Sequence, residues 1–213
     1  MSDREGDTVD VPDELWEEVC AESRATLDQQ VRRIENYDTK AVGLFRANIL
    51  LTGVLISGLA IIVRTNGVVP GQFLNAWSLF GALTLLLSTA SSAMAYTSSS
   101  YDLGIGPEVI HDADRGIYES KAAFQNELRD LYKGWLEHNA NVGTFNSYLI
   151  TGTIILLIDS IIFFAGAVVT GLYTLPLLID ATLLLGAAVL MLILNAFVYS
   201  AEKVFVRIFP DDE

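Results

Sequence analysis

The chain has 213 residues, 52% of them apolar or aromatic, and a mean hydropathy of +0.42, yet its formal net charge is -13 and its isoelectric point about 4.4. One cysteine, Cys20, excludes a disulfide scaffold, and the apolar content excludes a disordered chain. Without a basic patch to neutralise phosphates, nucleic acid is excluded as a partner class.

High hydropathy and high charge fit one chain only when they are segregated along it, and here they are. Residues 1–43 are polar and acidic. Met1–Asp10 is expected to fray. A helix is predicted from Pro12, with Asp13, Glu14, Glu17 and Glu18 at the end where the helix dipole favours negative charge. Leu27, Val31, Ile34, Asp38, Ala41 and Phe45 recur at steps of three and four, a stripe close to a heptad seam. No breaker follows, so this helix is predicted to run on into the first span.

Residues 44–96 read as a transmembrane hairpin, with spans at Leu44–Val63 and Phe73–Tyr96. Residues 97–147 return to polar composition. Tyr96–Gly106 reads as a turn, Pro107–Asp112 as a short helix ended by Gly116, and Ile117–Asn141 as a second long helix. Its apolar stripe includes Tyr118, Ala122, Leu128, Leu131, Tyr132 and Trp135. Residues 148–200 form a second hairpin, with spans at Tyr148–Thr170 and Leu177–Ser200, and 201–213 is an acidic tail. Each span meets the roughly 20 residues that cross about 30 Å of hydrocarbon at ~1.5 Å per residue.

Lysine and arginine set the expected orientation. Twelve lie before or at the start of span one, between spans two and three, or after span four, and only Arg64 lies on the opposite side. Both termini and the central segment are therefore expected in the cytoplasm of a multi-pass cell-membrane protein. The outer loops, near Arg64–Gln72 and Gly171–Pro176, are too short to hold a folded receptor. The acidic, lysine-poor cytoplasmic surface fits a salty cytoplasm, as in halophiles; attraction of cations to a pore mouth is the other reading.

The halves also match at a shift of 99 residues: Asp38 with Glu137, Ala41 with Ala140, Leu50 with Leu149, Thr52–Gly53 with Thr151–Gly152. This suggests a parallel two-fold internal repeat, each half a cytoplasmic helix followed by a membrane hairpin. The expected fold is thus all-α: a polytopic membrane protein with four transmembrane helices and a small cytoplasmic helical bundle.

Few residues carry chemistry. Asp159 lies near the middle of span three, where a carboxylate costs about 2.5–3.5 kcal/mol to insert. It needs a partner, a cavity, water or a proton. Either it marks an ion or proton path, or it is hydrogen-bonded to Asn195, Ser160 or a neighbouring span. Asn195 and Asn75 read as interhelical hydrogen-bonding groups. Ser88, Ser91 and Ser92, in a run of small residues, read as a close-packing face or a pore lining, and Gly53, Gly58, Gly152 and Gly166 as packing positions. Asp180 is expected to reach water at the outer boundary. No phosphate loop, nucleophile elbow or metalloprotease motif occurs, so no enzyme, cofactor or metal is expected.

Asp38-Thr39-Lys40-Ala41, followed by Val42–Leu51, resembles the entry to the membrane hairpin in the Pycsar-effector transmembrane family and its SLATT-like relatives. The candidate family motif is Asp38, Lys40 and Ala41, and the likeness covers about 40 residues of this sequence. It implies a membrane-damaging role triggered by a cyclic-nucleotide or similar signal of infection. The chain carries no nucleotide-sensing domain, so sensing would fall to a partner or to the cytoplasmic bundle. The layout also resembles that of helical membrane proteins of halophilic archaea. The leading expectation is a homo-oligomeric pore-type or membrane-perturbing effector in the lipid bilayer, gated through its cytoplasmic helices. The alternative is a non-conducting anchor whose helix pair recruits a soluble cytoplasmic partner.

Overall fold

Five α-helices and one 3-10 turn make up the computed structural model, which describes residues 13–64, 70–98, 100, 104–173 and 175–208. They are α1 (Asp13–Arg64), the turn Pro70–Phe73, α2 (Ala76–Thr97), α3 (Pro107–Asp114), α4 (Lys121–Leu172) and α5 (Leu177–Ile208). No strand occurs among the described residues. Four helices, α1, α2, α4 and α5, are long and apolar enough to cross a membrane. The expected fraying of Met1–Asp10 and the start at Pro12 lie outside the described residues.

The chain divides into two compact units. Unit 1 comprises residues 1–35 and 100–144; unit 2 comprises residues 36–99 and 145–213. Both α1 and α4 contribute residues to each unit without a break in the helix.

In unit 1 the first half of α1 pairs with the first half of α4. Cys20, Leu27, Leu128, Tyr132 and Trp135 form the core, with Trp16, Phe124, Leu131 and Leu136 packed on it. Tyr132 and Trp135 meet edge to face at 5.3 Å, a geometry that suits the ring quadrupoles. Two hydrogen bonds tie the helices: Arg24 Nε donates to the Tyr132 hydroxyl (2.8 Å) and Gln30 Nε2 to the Leu136 carbonyl (3.2 Å). The stretch Ile117–Ser120, read from sequence as helix, precedes α4. Ser120 explains the later start: its hydroxyl accepts the Ala123 N–H (3.1 Å) and its carbonyl the Phe124 N–H (3.2 Å), the bonds of an N-cap. Gly116, at φ +69, ends α3 in the left-handed conformation that favours glycine.

In unit 2 the second halves of α1 and α4 pack with α2 and α5. Ala41, Ala95 and Ile150 form a core flanked by Tyr37, Leu44 and Leu149. The buried face of α2 runs Trp77, Gly81, Leu85, Ser88, Ser92, Ala95, steps of three and four. Most hydroxyls on these helices donate to a carbonyl one turn back in their own helix, as Thr52, Ser57, Thr84, Thr89 and Thr153 do. That satisfies them without water.

The α1 seam is rotated from the sequence reading. Cys20, Leu27, Ile34, Ala41 and Asn48 are buried, whereas Val31 and Asp38 are half-buried and Phe45 is exposed. The buried set recurs strictly every seven residues, the coiled-coil period; steps alternating from Leu27 through Val31 drift to the flank. Of the pairs that match at a shift of 99, Ala41 is buried and Ala140 is exposed.

Candidate functional site

The interior of unit 2 mixes buried polar residues with its apolar core. On α4, Asn139 in unit 1 and then Asn146, Thr153 and Ser160 in unit 2 recur every seven residues and are all buried. Asn48 of α1 and Ser88 and Ser92 of α2 are buried as well. The heptad period of α4 carries these side chains inward turn after turn, where a lipid-facing position would forbid them.

Three hydrogen-bonded groups result. Ser98 Oγ donates to Asn146 Oδ1 at 2.6 Å. Ser88 Oγ lies 3.1 Å from Asn48 Oδ1 and 3.0 Å from the Thr153 carbonyl, which joins α2, α1 and α4 in one layer. The hydroxyl has one proton for two acceptors, and Asn48 Nδ2 is buried without an acceptor. Turning the amide over would aim Nδ2–H at Ser88 Oγ and leave the serine proton to the carbonyl. The third group is Asp159 with Asn195. Asn195 Nδ2 donates to Asp159 Oδ2 at 3.1 Å, from α5 to α4. Asp159 is 8% exposed, and its other oxygen, Oδ1, is buried without a partner, as is Ser160 Oγ.

The far end of unit 2 is clamped by aromatic side chains seated on glycines. Trp77 lies on Gly166, Phe73 on Gly171 and Phe164 on Gly81. Trp77 Nε1 donates to Asp180 Oδ1 at 2.8 Å, so the half-buried Asp180 has an indole partner besides any water. Asn75 caps α2 reciprocally with Ser78 and donates through Nδ2 to Thr170 Oγ1 at 2.9 Å. Among the glycines singled out in the sequence, Gly166 holds a close approach; Gly53, Gly58 and Gly152 have nothing within 4 Å of an added Cβ. Small size in a span permits close packing, but a neighbour must be on that face.

The remaining residues singled out in the sequence fall in separate places. Asp159 and Asn195 are brought together. Ser88 and Ser92 are fully buried between helices and Ser91 is half-exposed. Of the family motif, Ala41 is buried in the unit 2 core, Asp38 is half-buried, and exposed Lys40 lies 5.9 Å over the Tyr37 ring, a weak cation–π contact. Comparison with protein-family models, curated proteins and solved structures returns no match.

Sequence reading missed Asn48, Asn146 and Thr153. Asn146 and Thr153 belong to a seven-residue recurrence of small polar residues on α4, and Asn48 continues the seven-residue recurrence of buried residues on α1.

Unit 1 has its own crevice, of about 530 Å³, between α1 and α4. Trp16, Val19 and Cys20 form one wall; Arg129, Tyr132 and Lys133 form the other. That volume is within the range of about 300–1,000 Å³ used for small ligands. Burial pushes the Cys20 thiol above its ordinary range, opposed by the Arg24 charge. The thiolate is the nucleophile, so Cys20 is expected to alkylate more slowly than a free thiol at pH 8 and at the free-thiol rate after denaturation. Below the ordinary thiol range both states hold the proton and the stabilisation is complete. As pH rises through the raised value the stabilisation is lost, because the unfolded chain gives up its proton first. Melts of unit 1 above the ordinary thiol range are expected to fall with pH, and less so in Cys20→Ala.

Proposed function

We propose that the chain is a four-span membrane protein that works as an oligomeric, pore-type or membrane-perturbing effector, gated through its cytoplasmic helices. The observation that carries the reading is Asp159, a carboxylate buried in an apolar helix with one oxygen on Asn195 and the other without a partner. Such a group in a span is costly and points to a path for a cation or proton. Two further features support it. The most apolar windows of α1 and α5 are each only 6% buried, which leaves helix surface for lipid or for further copies. And α1 and α4 each contribute residues to both units without a break in the helix, as a gate worked through the cytoplasmic helices requires. The twelve-to-one charge bias supports cytoplasmic termini, and the Asp38–Leu51 resemblance to infection-triggered membrane effectors supports the effector role.

The second reading, a non-conducting anchor that recruits a soluble partner, is favoured by the unit 1 crevice. Ion flux through liposomes holding the purified chain separates the two. Wild-type protein is expected to conduct cations, and Asp159→Asn to change the rate about tenfold, equivalent to ~1.4 kcal/mol in the barrier. No flux from the integrated oligomer, with the unit 1 crevice binding a soluble protein, would favour the anchor.

A further inference from the structure

Asp159 stands on α4 where no opposite charge answers it. Residues 47–63, 76–97, 139–172 and 177–201, which make up the apolar runs of α1, α2, α4 and α5, contain no Lys, Arg or His. Their acids are Asp159 and Asp180. Asp180 accepts from the Trp77 indole, and it lies about 22 Å along α5 from Asn195 at ~1.5 Å per residue. We propose that Asp159 holds a proton at Oδ1, and that the proton is the cation this site handles. The inference rests on the reading of Asp159 as an ion site and names the ion.

Hydrogen bonding selects the oxygen. Asn195 Nδ2 donates to Oδ2 at 3.1 Å, whereas Oδ1 is buried and receives no donor. Asp159 is 8% exposed and Ser160 beside it is fully buried, so bulk water does not complete the set. An ionised carboxylate is an acceptor at both oxygens. Left bare in apolar surroundings, it costs far more than the roughly 1–3 kcal/mol of a neutral polar group that lacks one partner. A proton at Oδ1 removes the charge where nothing balances it. It leaves Oδ2 as the carbonyl oxygen that Asn195 already serves.

A metal cation asks for more than these residues offer. Hard divalent cations collect about six oxygens or more. Asp159 brings two side-chain oxygens, Ser160 one and Asn195 one, and the Asn195 amide turns its nitrogen to the carboxyl. Both helices are unbroken, α4 from Lys121 to Leu172 and α5 from Leu177 to Ile208, so their carbonyls are held in helix hydrogen bonds. Ion-coupled transporters take sodium on carbonyls freed where a helix unwinds. A proton needs one oxygen.

The test uses the full chain in phosphatidylcholine vesicles. Its infrared spectrum is expected to carry the C=O band of a protonated carboxyl, which Asp159→Asn removes. Asn195→Leu is expected to keep the band and move it to higher wavenumber, because Oδ2 loses its hydrogen bond. Dicyclohexylcarbodiimide gives a second readout. The proton of the acid passes to a carbodiimide nitrogen, the carboxylate oxygen adds to the central carbon, and an O-to-N acyl shift leaves a stable N-acylurea. Peptide mapping is expected to find this adduct forming about ten times faster on Asp159 than on the exposed Glu127, without protection by sodium or potassium. Absence of the band overturns the proposal, and so does protection of Asp159 by either metal ion. An unmoved band in Asn195→Leu overturns the placement at Oδ1. A protonated Asp159 in vesicles that pass no ion upholds the inference and removes the pore reading.

Discussion

Gly166→Ala is expected to destabilise unit 2 sharply, whereas Gly152→Ala on the same helix is expected to be neutral or slightly stabilising. An added Cβ at Gly166 would lie 2.1 Å from Trp77 Cε3 and 2.4 Å from Cζ3. The indole cannot slip aside cheaply, because its Nε1 is held by Asp180 at 2.8 Å and its ring meets Phe163 edge to face at 6.2 Å. Overpacking of this kind costs about 1–3 kcal/mol, or roughly 2–12 °C in melting temperature for a chain of this size. At Gly152 the added methyl meets nothing within 4 Å, and alanine gains helix propensity. Thermal melts of both variants in the same detergent check the contrast. Equal shifts would remove the glycine seat of Trp77 from the account, and recovery in Gly166→Ala with Trp77→Leu would confirm it.

Trp135→Ala is expected to unfold unit 1 while leaving unit 2 helical. Trp135 is one of five buried residues in the unit 1 core and stacks edge to face on Tyr132. Truncating a buried tryptophan costs about 3–5 kcal/mol. Against that stand the interhelical hydrogen bonds of Arg24 and Gln30, each worth about 0.5–1.5 kcal/mol. An ion pair of Arg129 with Asp130 at 3.7 Å has side chains 55% and 76% exposed and adds little. Limited proteolysis of the reconstituted protein reads the outcome: rapid cleavage within 13–35 and 104–144, and protection of the remainder. Asn126→Ala, an exposed control on α4, is expected to leave the pattern unchanged.

Much of this architecture is legible in the sequence because long apolar runs and their polar flanks mark helices without help from tertiary contacts. The four long helices, the short helix at Pro107 and the break at Gly116 follow from composition, proline and glycine. Which face of each helix is buried is not legible in the same way. Leu27, Val31, Ile34, Asp38 and Ala41 share one stripe of threes and fours, and only packing selects the period of seven, Leu27–Ile34–Ala41, within it. The site was half visible. Asp159 stands out because a carboxylate in a span is rare, and Asn195 is a polar residue of the next span. Asn48, Thr153 and Asn146 do not stand out singly; they matter through a period of seven that brings them to one interior. The seat of Trp77 on Gly166 joins residues 89 positions apart, a distance over which a single sequence carries no pairing signal.

Cysteine accessibility tests most directly whether four helices cross a membrane with residues 104–144 in the cytoplasm. In a Cys20→Ser background, Gly71→Cys and Glu127→Cys each place a thiol at an exposed position. With a membrane-impermeant maleimide, Gly71→Cys is expected to label in intact cells and Glu127→Cys only after lysis. Labelling of Glu127→Cys in intact cells, or release of the protein from membranes by alkaline carbonate, would contradict it.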